Sequence, residues 1–264
     1  MAFFQMNYHS DVLKMGVSVN VVIPEKAKTL IGMKADGEGS YKTIYLLHGL
    51  SDDHTIWMRR TSIERYAAER GIAVVMPSVA RSWYTDTAYD ANYFTFVADE
   101  LPRVCRGFFK GMSDRREDNL IGGLSMGGYG AIKVALRRPD AFGGVLMLSS
   151  AVDIVHRITP TPKVTMEEWQ GVFGFDVEDG TKALVGGPED PFALARQNHE
   201  KGIAFPNIYM WCGTEDGLIK ANDRFSALLT ELGVDHLYES SEGNHSWKWW
   251  DIHVQSGLDY LLAK

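Results

Sequence analysis

The chain has 264 residues, 45% of them hydrophobic, and a formal net charge of −7. That length carries a substantial core in one domain or two, and single α/β domains commonly reach it. The absence of any basic run or stripe excludes nucleic acid and anionic membrane surfaces as partners, and no apolar run approaches a membrane span.

The opening "MAFFQMNYHSDV" is apolar only briefly and lacks the basic start, long apolar stretch and cleavage site of a signal peptide. "SVNVVIPE" (18–25) alternates and ends at a proline, the pattern of an early strand. Short continuous apolar runs follow at 42–49, 71–78, 118–125, 143–150 and 207–214, with a sixth candidate at 235–241. Such runs fit strands covered on both faces. Helical patterns lie between them at 60–70, 91–109 (interrupted by Pro102), 130–138, 220–233 and 250–264. The alternation predicts a mostly parallel sheet with helices on both faces. Residues 152–206 break it with five prolines and no clear strand. They are expected to form a partly helical cap inserted in a single domain spanning 1–264, with one helix at 189–200, Asp190 as its N-cap and Pro191 at its first position.

Cys105 and Cys212 form no CxxC pair and are too few for a disulfide framework, which points to a reduced, cytoplasmic protein. Cys212 has no cationic neighbour to activate it and reads as a core residue.

"IGGLSMGGYG" (121–130) carries the chemistry. Gly123-Leu124-Ser125-Met126-Gly127 fits G-x-S-x-G between a strand and a helix, where a nucleophilic serine occupies a sharp, strained turn. Glycines two before and two after the serine remove Cβ atoms that would clash, while Gly128 and Gly130 are expected to let the helix approach the sheet. The helix N-terminus presents free N–H groups, so the Met126 amide is a candidate oxyanion donor. A second donor is expected from the loop after an earlier strand, and the Leu50 N–H in "LLHGLSDDHTIW" (46–57) fits. The metal alternative for His48, Asp52, Asp53 and His54 yields to a polar-loop reading, and no cofactor is expected.

A nucleophilic serine needs a base, and the base an orienting acid. Of the downstream histidines, His156 and His199 lie in the cap, His236 begins a strand and His253 lies within the last helix. His245, in "SEGNHSWKWW", sits in a loop between strand and helix. A glycan at the sequon Asn244-His245-Ser246 would crowd it, so the sequon reads as accidental. For the acid, Asp216 follows a strand and precedes His245 by one helix and one strand. Spacing leaves Glu215 and Asp223 open as rivals.

Several aromatic residues have two readings. Trp83 and Tyr84 could wall the substrate or anchor their loop, and His48 lies close enough to touch substrate. Trp169 and Phe173, with Met166 and Phe175, could line an acyl pocket or form a satellite core. Trp247, Trp249 and Trp250 are expected to pack behind the His245 loop.

Six segments, "LLHGL" (46–50), "RSWYTD" (81–86), "DELPR" (99–103), "GLSMGGYGAIKVAL" (123–136), "CGTEDGL" (212–218) and "GNHSWKWWD" (243–251), together resemble the esterase D-like carboxylesterases. The likeness is strongest to the small bacterial tributyrin esterases and covers about residue 19 to the C-terminus. It implies an α/β-hydrolase fold, Ser125 as nucleophile, Asp216 as acid, His245 as base, and an oxyanion hole of the Leu50 and Met126 amides. It implies a serine carboxylesterase for short-chain acyl esters working through an acyl-enzyme. The alternatives on the same triad are an S-formylglutathione hydrolase-like thioesterase, a polysaccharide deacetylase or feruloyl esterase, and an acyltransferase. A non-catalytic binding protein on this scaffold would usually have lost a triad member. A small-molecule ester is the expected partner, and an apolar cap could serve as an interface for a homo-oligomer.

Overall fold

The computed structural model describes residues 1–25, 40–158, 161, 164–176 and 180–264. Eight strands form one sheet: β1 (Ala2–Ser10), β2 (Met15–Ile23), β3 (Thr43–Leu47), β4 (Ala73–Pro77), β5 (Asn119–Leu124), β6 (Gly144–Leu148), β7 (Asn207–Gly213) and β8 (His236–Ser241). Their order is β1-β2-β4-β3-β5-β6-β7-β8. From β4 to β8 every pairing is parallel, and β1 and β2 are attached antiparallel at one edge. The helices are α1 (Ile56–Arg60), α2 (Ile63–Arg70), α3 (Tyr93–Thr95), α4 (Leu101–Phe108), α5 (Met126–Arg137), α6 (Met166–Phe173), α7 (Pro191–Glu200), α8 (Ile219–Glu231) and α9 (Trp247–Leu262).

Strands β3 to β6 are buried along their whole length because both faces are covered. Tyr45, Leu47, Val75, Ile121, Val145 and Met210 join Cys105, Phe225 and Leu228 of α4 and α8 in one core, together with much of α5. Their neighbours Ile44, Leu46, Val74, Leu120, Leu146 and Trp211 face Ile63 and Tyr66 of α2 and Trp250, Val254 and Leu258 of α9. The four-residue spacing of those α9 positions gives the helix one apolar stripe, and each such burial contributes roughly 1.5–3 kcal/mol.

Two elements depart from expectation. β1 lies where the sequence promised only a few apolar residues. As an edge strand it buries neither face completely, so its alternation is weak. The 91–109 helix is not broken at Pro102. A single wide π turn (Phe96–Glu100), closed by Leu101 N–H to Phe96 O, precedes α4 and absorbs the hydrogen bond that proline cannot make. The same turn presents buried Glu100 to the β1–β2 hairpin, where its carboxylate accepts the Ser10 hydroxyl and the amides of Asp11 (2.9 Å) and Val12 (3.3 Å).

Between β6 and β7 the described residues hold α6, a 3₁₀ turn (Gly180–Ala183) and α7. Pro160 and Pro162 of this segment lie outside the described residues. Asp190 caps α7 by accepting the amides of Phe192 (3.0 Å) and Ala193 (3.2 Å). Helix α7 packs on α5 and α8. Among the described residues no helix is long and apolar enough to cross a membrane.

Candidate active site

The C-terminal ends of the parallel strands gather the candidate residues at one edge of the sheet, the edge where open α/β sheets bind ligands. Ser125 links β5 to α5 with φ 54° and ψ −116°, a conformation that costs a non-glycine residue of order 1–3 kcal/mol. Three backbone hydrogen bonds hold it there: Ser125 N–H to Leu148 O (3.0 Å), Tyr129 N–H to Ser125 O (3.1 Å) and Ala151 N–H to Ser125 O (3.0 Å). At Gly127 a Cβ would stand 2.4 Å from Leu47 O and 2.7 Å from His48 O, so only glycine lets α5 reach the end of β3. Gly128 abuts Ser150. Gly130 differs from expectation: it makes room for the Tyr84 ring, 2.3 Å from where its Cβ would be, and does not face the sheet.

Asp216 lies just beyond β7 and is buried, and His245 lies beyond the adjacent β8 and is exposed. Their side chains meet, His245 Nδ1 donating to Asp216 Oδ2 at 2.8 Å. The other carboxylate oxygen accepts the Leu218 amide at 2.9 Å. Burial raises the Asp216 pKa, but the His245 ring, the Leu218 amide and the Ser149 hydroxyl together hold it below the ordinary value. The two loops touch through glycines: a Cβ on Gly213 would lie 2.1 Å from Gly243 O, which accepts the Glu215 amide at 2.9 Å. Behind the imidazole the Trp250 ring stands edge-on at 4.8 Å. Trp247 packs between Trp250 and Trp57.

The rivals are engaged elsewhere. Glu215 is exposed, and Asp223 accepts the Tyr238 hydroxyl at 2.7 Å. His156 pairs with Asp153, His236 donates its Nδ1–H to Val234 O and pairs through Nε2 with the Ser226 hydroxyl, and His253 stacks on Trp211 at 4.0 Å.

The loop after β3 passes beside the serine: a Cβ on Gly49 would lie 3.8 Å from Ser125 Cβ. Leu50, half-buried, is in that turn, and Met126 opens α5 with an amide outside the helical ladder. His48, expected near substrate, is instead fully buried. Its Nδ1–H donates to Gly49 O (2.8 Å), its Nε2 accepts the Val79 amide (3.0 Å), and burial lowers its pKa, so it is a neutral brace for the loop. Tyr84 is corrected in the same way, being fully buried with its hydroxyl donating to His48 O at 2.8 Å. Trp83 (3% exposed) and Trp169 (2% exposed) pack against each other at a tilt, 4.9 Å between ring centroids, and leave almost no surface for a substrate. Phe173 stacks on Trp169 and keeps a half-open face.

One cluster had no signal in the sequence. Buried Lys133 of α5 donates to Glu189 Oε2 (2.5 Å), Thr85 Oγ1 (2.7 Å) and Trp83 O (3.1 Å), tying the Trp83–Thr85 loop to the start of α7. Burial lowers its pKa to about 8 against the pull of Glu189. Both cysteines are free and buried, and burial pushes each thiol up to about 12. Among the described residues no group of three or more His, Cys, Asp or Glu could hold a metal ion.

Comparison with known proteins agrees with this architecture. The Esterase family matches residues 10–257. An acetyl esterase of Caldicellulosiruptor saccharolyticus is 33% identical over 269 residues, covering 99% of this chain and 98% of that protein. Two solved structures from Staphylococcus aureus are each 30% identical and cover 99% of this chain and 98% of theirs. They are the fluorophosphonate-binding serine hydrolase FphF with substrate bound (TM-score 0.86) and the S-formylglutathione hydrolase FrmB (TM-score 0.85). The chain therefore belongs to the Esterase family and is a carboxylic ester hydrolase with the α/β-hydrolase fold.

Proposed function

We propose that the protein is a serine esterase for short-chain acyl esters, with Ser125, His245 and Asp216 as its catalytic triad. The observation that carries this is the 2.8 Å His245–Asp216 bond on the loops of adjacent strands, at the same sheet edge as a serine held at φ 54°. Since the carboxylate accepts from Nδ1, that nitrogen carries the proton and Nε2 is free to act as base. His245 takes the Ser125 proton as Oγ attacks the ester carbonyl, and the Leu50 and Met126 amides stabilise the oxyanion. The imidazolium, balanced by Asp216, then protonates the leaving alcohol. Water repeats the sequence on the acyl-enzyme and releases the acid.

The acetyl esterase relative supports a small acyl group. Residues 152–206 act as a cap, with the open face of Phe173 toward the acyl group. Two buried thiols suit a reducing, cytoplasmic setting.

The test is hydrolysis of p-nitrophenyl esters from acetate to dodecanoate. We expect activity to peak between acetate and butyrate. Ser125→Ala should lower kcat by about 10⁴ or more with an unchanged fold. Near-normal turnover by that variant refutes the triad, and activity that rises with chain length refutes the short acyl site. Likeness to FrmB favours a thioester as the second reading, which S-formylglutathione measured beside p-nitrophenyl acetate separates.

A further inference from the structure

Ser149 is the first residue after β6 and has no exposed surface. It adopts φ 43°, in the left-handed region, and its amide donates to Trp211 O of neighbouring β7 at 2.8 Å. That backbone turn aims its hydroxyl into the space behind the acid loop. There Oγ accepts the indole N–H of Trp250 at 3.0 Å. The hydroxyl proton is thereby left for another acceptor. Two groups have their pKa lowered by this hydroxyl, the Asp216 carboxylate and the Cys212 thiol, as a hydrogen-bond donor beside each would do. An ionised carboxylate is the stronger acceptor, and the buried Cys212 remains a neutral thiol. The same Trp250 whose N–H fixes the serine lays its ring edge-on to His245.

We propose that Ser149 is a positioning residue for the reaction, fixed by Trp250 and holding the Asp216 carboxylate in the orientation that takes the His245 Nδ1–H. Helix α9 thus sets the base through the ring of one side chain and the acid through the N–H of the same side chain. The proposal rests on the triad reading above.

The ionisable groups around Asp216 are His245, Cys212 and Arg157. A carboxylate shared with the Ser149 hydroxyl pulls less on an imidazolium than one left to His245 alone. Removing the hydroxyl therefore does two separable things. It frees the carboxylate to turn, which lowers kcat, and it stabilises protonated His245, which moves the acid limb of kcat/KM to higher pH.

The experiment compares wild type, Ser149→Ala, Trp250→Phe and Ser125→Ala on p-nitrophenyl acetate from pH 5 to 9, with thermal unfolding of each. Trp250→Phe keeps an aromatic ring at the position beside His245 while removing the N–H together with part of the indole, so it carries the test if Ser149→Ala fails to fold. The expected result for Ser149→Ala is a kcat about tenfold lower with KM little changed, and an acid-limb midpoint raised by about half a pH unit. Trp250→Phe should move both in the same direction by less. A kcat loss with an unmoved midpoint would mark a merely structural residue and overturn the proposal, as would an unchanged kcat. Activity in Ser125→Ala would instead remove the triad reading itself, so the two failures are distinguishable.

Discussion

Gly213→Ala tests whether the contact between the acid and base loops holds the His245–Asp216 pair together. The added Cβ would lie 2.1 Å from Gly243 O, 2.3 Å from its carbonyl carbon and 2.9 Å from its Cα. Ordinary contact begins at 3.4 Å, so the closest approach is about 1.3 Å too short, and every atom it meets is backbone. No side chain can swing aside, so residues 243–245 must move outward. His245 is two residues from the clash, and its bond to Asp216 is 2.8 Å long. A displacement near 1 Å of a catalytic group costs about 100-fold in rate, or about 2.7 kcal/mol of barrier. The strain should also cost about 1–3 kcal/mol of stability. Steady-state kinetics on p-nitrophenyl acetate should show a kcat about 100-fold lower with KM nearly unchanged, and differential scanning fluorimetry a Tm lowered by several degrees. A variant with wild-type kcat and a lowered Tm would refute the reasoning. It would mean that the loops absorb the shift without moving His245.

Other expectations follow from the buried polar groups. Glu189→Gln leaves Lys133 buried without its carboxylate and should cost about 3–5 kcal/mol in chemical denaturation, while Lys133→Met with Glu189→Leu should recover most of it. The Glu189 carboxyl is held below 4.5 by Lys133 although burial opposes this, so its contribution is complete above pH 4.5. That contribution is lost as pH falls through the depressed folded-state value. A Tm–pH scan from 6 to 3 should accordingly be flatter in Glu189→Gln than in wild type. Tyr84→Phe removes the hydroxyl that braces His48 O and should lower stability by about 1 kcal/mol and reduce kcat more than KM. Thiol titration should find neither Cys105 nor Cys212 reactive in the native protein and both reactive in denaturant.

How much of this was legible in the sequence depends on the range of each interaction. Strands β3 to β7 could be read because a strand covered on both faces must be apolar at every position, which is a local property. Ser125 could be read because its turn demands glycines at fixed spacing. His245 emerged from the alternation of elements, whereas that alternation left Asp216 as one of three carboxylates and only the family resemblance singled it out. His48 and Tyr84 were misread because loop position says where a residue is and not which way it points. Both point inward, into a brace spanning 36 residues of chain. The Ser149–Trp250 bond and the Lys133–Glu189 pair had no signal, although Trp250 itself was expected behind the His245 loop. The partners are 101 and 56 residues apart, and neither spacing nor hydropathy encodes such a meeting.

The strain in the backbone has a distribution that bears on function. Among the described residues, eight that are not glycine have positive φ, and six of them are Ser51, Ala80, Trp83, Tyr84, Ser125 and Ser149. All six lie in the loops that leave the C-terminal ends of β3, β4, β5 and β6. Such conformations cost of order 1–3 kcal/mol each and persist only where the surroundings over-determine them. At Ser125 the over-determination is the trio of backbone bonds and the Gly127 approach. At Tyr84 it is the hydroxyl bond to His48 O and the contact with Gly130. Ala80 is exposed, so its strain serves no packing. Ala80→Gly should thus raise stability by about 0.5 kcal/mol or leave it unchanged, with kcat preserved. Ser149→Gly relieves the same kind of strain but leaves the buried Trp250 N–H without its acceptor, and should lower kcat without a net gain in stability. If both glycine variants kept full activity, strain at this edge would be a by-product of tight turns. If only Ala80→Gly did, the strain at Ser149 is part of how the site is held.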